Sequence, residues 1–347
     1  MERMTDRKTE IGSEFWDVPT CDGAKPVFPE TTQWYLSGRS ALKAIIRELG
    51  KCRTVAMPSW CCDSMVKPFA DAGMEVRFYP VHMRKGCLVR ENSFDCDVLF
   101  LMDYFGYTFP AVDMGSYGGV VIRDVTHSLF SAVYTDADYS FGSLRKWCGV
   151  WTGGYAWTKD GHPLPMERVD DHGYIDLRNE AMLQKQAYID EYGNGGDSAV
   201  TDKGYLRLFS DAEELLESIG IAPAANRDVS LALWLDADLI RFRRRANAEV
   251  LRRAFAERLI FPELKDTDCP MFVPILVPDG RRNALRQFLI NQEIFCPVHW
   301  PISGYHCLCS DERSLYESEL SLVCDQRYTG EDMVRMAEAI NTFLKET

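Results

Sequence analysis

Residues 138–154 read DYSFGSLRKWCGVWTGG, and this stretch decides how the rest of the chain is understood. It carries one lysine, Lys146, with Ser143 three residues before it and Gly153-Gly154 seven and eight residues after it. A lone lysine among small hydroxyl residues, followed by paired glycines, suits a Schiff base with an aldehyde cofactor whose phosphate is gripped next door. A solvated loop lysine is the plainer alternative. Upstream, Gly118-Gly119-Val120-Val121-Ile122-Arg123 leads into Asp124. Glycines followed by a β-branched run read as a buried parallel strand. Ligands of open α/β sheets sit beyond the carboxyl ends of such strands. A carboxylate there can keep a pyridinium nitrogen protonated. Capping of a helix that starts at Val125 is the other reading of Asp124.

Outward from this core, residues 54–58, 75–79 and 97–103 read as strands, with a helix over 62–72 between the first two. Tyr155-Ala156-Trp157 is one more strand. Strand and helix alternate from about residue 31 to 230, which implies a mostly parallel α/β sheet. Ser37-Gly38-Arg39-Ser40-Ala41-Leu42 is a small-residue turn opening a helix with apolar positions 42, 45, 46 and 49. Gly38 lets the backbone approach a ligand, and the N–H groups of Arg39, Ser40 and Ala41 can cradle an anion. A serine N-cap without a ligand accounts for the same residues.

From about residue 180 to 218 the pattern is helical, interrupted by a flexible loop at Gly193-Asn194-Gly195-Gly196-Asp197. Residues 230–255 read as one long helix with an apolar stripe of Leu231, Leu235, Leu239, Phe242, Ala246 and Val250. Its basic cluster Arg241-Arg243-Arg244-Arg245 reads as a solvated face. Beyond Pro262 come a strand at 271–277, a helix at 281–292, a strand at 295–301 and a closing helix at 330–344, a compact α+β unit. The expected division is an N-terminal arm over 1–30, a large cofactor-binding domain over 31–235, and a long helix with a small C-terminal domain over 236–347.

The 347 residues are 46% hydrophobic and 26% charged, ordinary for a soluble globular protein. A formal net charge of −13 argues against nucleic acid or an anionic membrane as partner. Any phosphate site must therefore be local. The N-terminal MERMTDRKTEIGSEF has no apolar core, so neither a signal peptide nor an anchor is expected. The twelve cysteines include no C-x-x-C pair, which points away from metal and disulfides and toward free thiols of a reducing cytoplasm.

Taken together, these segments resemble the DegT/StrS family of pyridoxal-phosphate-dependent sugar aminotransferases. That family has the aspartate-aminotransferase fold, fold type I, a PLP-dependent transferase fold with a mostly parallel sheet in a large domain and a smaller C-terminal α+β domain. The turn from Ser37 to Leu42 is similar to the family's phosphate turn, and Asp103-Tyr104-Phe105-Gly106 to its strand ending in an aromatic-glycine pair. Arg123-Asp124-Val125-Thr126-His127 resembles its Glu-Asp-Ala-Ala-Gln motif, and Asn226-Arg227 an element that reaches the neighbouring subunit's site. Val298-His299-Trp300-Pro301 and residues 320–328 resemble C-terminal segments of the family.

The resemblance implies pyridoxal 5'-phosphate as cofactor, Lys146 as its Schiff-base lysine and Asp124 on the pyridine nitrogen. It implies Gly38, Arg39, Ser40 and Ser143 around the phosphate, with Ser140 the second choice of serine. His127 stands where the family has glutamine near the ring's phenolic oxygen. Cys62 stands where an aromatic residue stacks on the ring, which leaves Trp60 or His127 to stack. Thr152 replaces an acidic residue before the paired glycines. The implied reaction takes an amino group from an amino-acid donor to a keto sugar or related carbonyl acceptor, in a cytoplasmic homodimer. A divergent, non-catalytic protein of this fold and a lyase chemistry are the alternatives.

Overall fold

The computed structural model describes residues 10–90, 95–108, 117–131, 137–193 and 203–345. Of the expected glycine-rich loop, 194–197 lie outside the described residues. The chain opens with β1 (Ile11–Gly12), β2 (Gln33–Tyr35), α1 (Gly38–Glu48), β3 (Thr54–Pro58), α2 (Asp63–Asp71) and β4 (Glu75–Tyr79). A hairpin of β5 (Val81–Arg84) and β6 (Cys87–Arg90) follows, then β7 (Val98–Met102), β8 (Val120–Asp124), β9 (Tyr139–Ser143) and β10 (Gly154–Thr158).

Seven of these strands form one sheet in the order β2-β10-β9-β8-β7-β3-β4. The run from β9 to β4 is parallel throughout, and β10 is antiparallel to both its neighbours. The expected mostly parallel sheet is therefore present. All five residues of β7, Val-Leu-Phe-Leu-Met, are buried, because helices and loops cover both faces of its centre. Burial on both faces removes the alternation that a half-exposed strand would show.

The helical stretch contains α3 (Tyr174–Gly193), α4 (Gly204–Leu215), α5 (Asn226–Leu233) and α6 (Ala237–Ala254). The single helix expected over 230–255 is two helices. Leu235 leaves the helical path to bridge Thr20, and the Asp236 N–H donates to Pro19 O. Asp236 Oδ1 then accepts the Leu239 N–H at 2.9 Å and starts α6 afresh. The break rotates the second helix, so its buried face is Ile240, Arg244, Asn247, Ala248 and Leu251, while Leu239 and Phe242 are exposed. Arg244 is thus a buried residue stacked on Trp147 at 4.4 Å and not part of a solvated face.

The remainder holds β11 (Phe272–Leu276), α7 (Arg282–Ile290), β12 (Ile294–Phe295), α8 (Ser310–Ser318), β13 (Glu319–Val323) and α9 (Gly330–Lys345). β11 and β13 pair antiparallel over a second core that includes Leu251, Val273, Leu285, Leu320 and Ile340. The strand expected over 295–301 is paired only at Ile294–Phe295, where it runs parallel to β1. Pro297 and Pro301 lack the N–H groups a longer ladder would need. No described helix is long and apolar enough to cross a membrane, and all twelve cysteines are free.

The start of the described chain is fastened by charge as well as by β1. Glu10 is almost fully buried, pairs with the fully buried Lys185, and meets Lys203 at 2.6 Å. Burial pushes the Lys185 ammonium down from its usual value, with Glu10 opposing. Breaking a buried pair leaves the surviving charge without compensation. Lys185→Met is expected to cost about 3 kcal/mol, the low end for such a break because Lys203 still faces Glu10. Urea denaturation checks this, and an unchanged midpoint would contradict it.

Candidate active site

Beyond the carboxyl ends of the parallel strands, a cavity of about 660 Å³ separates the large sheet from the smaller unit. Asp124, Ser143 and Lys146 line one wall, and His299, Trp300 and Arg327 line the other. Asp124 is the last residue of β8, and its Oδ1 accepts the Thr126 N–H at 2.8 Å. Among the described residues no cation pairs with it, and burial pushes its carboxyl up to about 6 against the Thr126 hydrogen bonds. The loop after it is held on both sides. Arg123 pairs with Asp103 at 2.8 Å, Ser128 Oγ donates to Asp103, and Trp147 Nε1 donates to Thr126 O at 2.6 Å.

Lys146 ends a single 3-10 turn, Leu144–Lys146, that follows directly on β9. The turn is closed by the Leu144 N–H donating to Gly153 O at 2.7 Å. Gly153 has φ +115°, which L side chains rarely adopt. A Cβ on Gly154 would sit 2.0 Å from Ser37 O, so only glycine lets β10 pass against the start of α1. The paired glycines therefore shape the wall of the cavity without lining it. Across the wall, a Cβ on Gly38 would lie 3.3 Å from that of Ser143. Ser37 caps α1 by accepting the Ser40 N–H at 3.1 Å, which leaves the N–H groups of Gly38 and Arg39 at the helix start beside Ser143. Ser143 Oγ is buried and, among the described residues, has no hydrogen-bond partner. An anion at this corner would meet a helix N-terminus and a free hydroxyl together.

The cations around that corner are already committed. Arg145 pairs with Glu213, and Arg39 reaches both Glu213 at 2.7 Å and Glu217 at 2.6 Å. Burial disfavours the Glu213 carboxylate, but Arg145, Lys146 and Arg39 outweigh it and hold it well below the usual range. Lys146 therefore differs from its neighbour Arg145, which is tied by an ion pair. His127 Nδ1 accepts the Phe105 N–H at 3.3 Å, and its ring stacks on Trp300. Burial, with help from Lys146, pushes His127 down to about 3, so it is neutral and presents Nε2–H to the cavity.

Of the residues singled out from the sequence, Gly38, Arg39, Cys62, Asp124, His127, Ser143 and Lys146 all line this one cavity. Four do not. Ser40 turns its Oγ to Gly220 O at 2.8 Å and gives its N–H to the cap. Ser140 is buried on the opposite face of β9 from Phe141 and Ser143, as an odd separation along a strand requires. Trp60 is fully buried beneath the cavity, stacked on Tyr104 at 4.9 Å, so it is not free to cover a ring. Asn226 is exposed at the start of α5, beside Arg227 over the Trp151 ring. The Arg145–Glu213 pair and the role of His299 in the wall were not foreseen, since nothing in local spacing links residues 68 positions apart.

Neither a protein-family model nor a curated protein matches the sequence. Solved structures do match by shape. Helicobacter pylori PseC, an aminotransferase involved in the biosynthesis of pseudoaminic acid, aligns with TM-score 0.63 at 15% identity over 96% of this chain and 100% of its own. Bacillus subtilis NtdA with bound cofactor PMP gives TM-score 0.60 at 16% identity, over 90% of this chain and 73% of NtdA. The Streptococcus pneumoniae sugar aminotransferase Spr1654 in its PLP form gives 0.57 at 15% identity, over 95% and 93%. The chain has the fold of these PLP-dependent aminotransferases.

In this fold the turn at Gly153-Gly154 leaves no room for a side chain at Gly154. Gly154→Ala forces a methyl onto Ser37 O and should cost about 1–3 kcal/mol by overpacking. Gly118→Ala, where a Cβ meets nothing within 4 Å, is the matched control. Thermal melts of both variants check this, and equal melting temperatures would contradict it.

Proposed function

We propose that the chain is a pyridoxal-phosphate-dependent aminotransferase moving an amino group from an amino acid to a keto sugar or related carbonyl acceptor. The observation that carries this reading is a buried carboxylate without a cation, Asp124, facing the same cavity as Lys146. Such a carboxylate is costly unless a cation meets it, and a protonated ring nitrogen is a cation of the right kind. The orphaned Ser143 Oγ and the open N–H groups of Gly38 and Arg39 fit a phosphate. The bound PMP and PLP of the structural neighbours support the same cofactor.

Pyridoxal phosphate, when bound, supplies an aldehyde carbon for amines and a ring that withdraws electrons from the substrate carbon. Lys146 Nζ is the amine that would hold it, and the group that takes the proton from the substrate carbon and returns it. Asp124 would keep the ring nitrogen protonated, and Ser143 with the start of α1 would hold the phosphate end. His127, whose Nδ1 accepts the Phe105 N–H, would offer Nε2–H to a ring oxygen, and Cys62 would present a small side chain to the bound group. A second copy of the chain would complete the rim through Asn226 and Arg227 on α5. The exposed Leu233 and Trp234 at the end of that helix support pairing there.

The test compares bound-cofactor absorbance and half-reaction rates across variants. Lys146→Ala should lose both, while Lys159→Ala, whose lysine lies on the turn after β10, should keep both. Asp124→Asn should keep the melting temperature and slow the reaction by roughly 10²–10⁴. In the wild type, affinity for pyridoxal phosphate should fall as pH drops through about 6, because Asp124 then gains a proton and loses its charge. Asp124→Asn should show no such step. Loss of the absorbance in Lys159→Ala with retention in Lys146→Ala would overturn the reading.

A further inference from the structure

Behind the cavity wall lies a line of polar groups that the roles above leave unused. β13 places Glu319 and Ser321 two residues apart on one face, and both are fully buried. The segment after β12 runs beside them, with the Ser321 N–H donating to Pro297 O at 3.0 Å. His299 is clamped there at both ends of its backbone. Its N–H donates to Glu319 Oε2 at 2.7 Å, and its carbonyl accepts Trp60 Nε1 at 2.8 Å. Its ring Nδ1 lies 2.8 Å from Ser321 Oγ, and that oxygen lies 2.5 Å from Glu319 Oε1. The ring stands among Phe105, Phe272 and His127 and lines the cavity with Lys146. Among the described residues Nε2 has no hydrogen-bond partner.

The hydroxyl of Ser321 has one proton for two neighbours. If Glu319 is neutral, its own proton goes to Ser321 Oγ, and the hydroxyl proton goes to His299 Nδ1. The imidazole then carries its proton on Nε2 and donates into the cavity. If Glu319 is ionised, the hydroxyl turns to the carboxylate, Nδ1 donates to Oγ, and Nε2 becomes a bare acceptor. One proton, held away from the cavity, thus decides what the cavity meets. We propose that Glu319, acting through Ser321, sets the tautomer of His299 so that Nε2–H donates to the carbonyl oxygen of the acceptor substrate. The substrate contact rests on the aminotransferase reading. The relay itself does not.

A carbonyl oxygen accepts and never donates, so only the Nε2–H form serves it. Burial pushes the Glu319 carboxyl up to about 8, against Ser321, the His299 N–H and the charge of Arg282 on α7. Cys296, itself beside Arg286, is a further titratable group near it. Around the imidazole, burial, His127 and Lys146 all disfavour the cation, so the choice is between two neutral forms. Glu319 and Ser321 are positioning residues, and His299 is the group that touches substrate.

The relay is read directly by long-range proton–nitrogen NMR of the full chain labelled at histidine, with His299→Gln used to assign the signal. Wild type should show His299 protonated on Nε2 at neutral pH and on Nδ1 as pH rises through about 8. Glu319→Gln should hold the Nε2–H form at every pH, because its amide donates to Ser321 as the neutral acid does. Ser321→Ala should uncouple the tautomer from pH. A wild-type Nδ1–H form at neutral pH, or the same pH response in Ser321→Ala, overturns the relay. The second arm measures KM for the carbonyl acceptor. It should rise on the order of tenfold above the transition in wild type and stay level in Glu319→Gln, with the amino-donor half-reaction unchanged. A level wild-type KM overturns the contact with the carbonyl oxygen. Absence of any half-reaction in wild type would instead count against the aminotransferase reading, and the NMR arm would still decide the relay.

Discussion

The constraint on which the site depends is an uncompensated buried charge at the end of a central strand. β8 is flanked by β7 and β9, so Asp124 cannot reach bulk water by moving its backbone. Among the described residues its help comes from Thr126, and burial holds its carboxyl up to about 6. Chains that fold well seldom leave a carboxylate in that position without a partner. The surrounding structure keeps it there through the Asp103–Arg123–Ser128 network and the Trp147–Thr126 hydrogen bond. A cation arriving from the cavity would relieve the cost.

The rest of the cavity divides its electrostatics sharply. The chain has a formal net charge of −13, yet the corner at the start of α1 offers backbone N–H groups and a hydroxyl without a partner among the described residues. Arg39 and Arg145 are neutralised by Glu213 and Glu217, so they build the wall instead of drawing anions to it. The opposite wall comes from the smaller unit, where His299 and Trp300 are delivered by an extended segment lying beside β13. The cavity therefore joins a corner of backbone N–H groups, a buried carboxylate and a neutral hydrogen-bonding wall. Each part comes from a different stretch of chain.

Much of the fold was legible from local pattern. The apolar runs within β3, β7 and β8 read as strands buried on both faces, and the parallel sheet follows from their alternation with helices. The break before α6 was not legible, because an apolar stripe continues through Leu235 while the backbone turns aside to meet Pro19 and Thr20. In the site, Asp124 drew notice because it closes a β-branched run, and Lys146 because it lies between Ser143 and the paired glycines. Which of Ser140 and Ser143 lines the cavity depends on strand phase, since the two point to opposite faces of β9 and Ser143 is the one on the cavity side. Trp60 was misjudged because a large aromatic beside a site can as well be its floor. The His299–Ser321–Glu319 line spans separate segments, and no motif spacing announces it.

The account stands or falls on which amine holds the cofactor. Incubating the wild-type protein with pyridoxal phosphate, reducing with borohydride and mapping peptides by mass spectrometry identifies that amine directly. The account predicts a single modified peptide carrying the adduct on Lys146. Stoichiometric modification at Lys159 or Lys203 in its place, or no adduct at all, would contradict it.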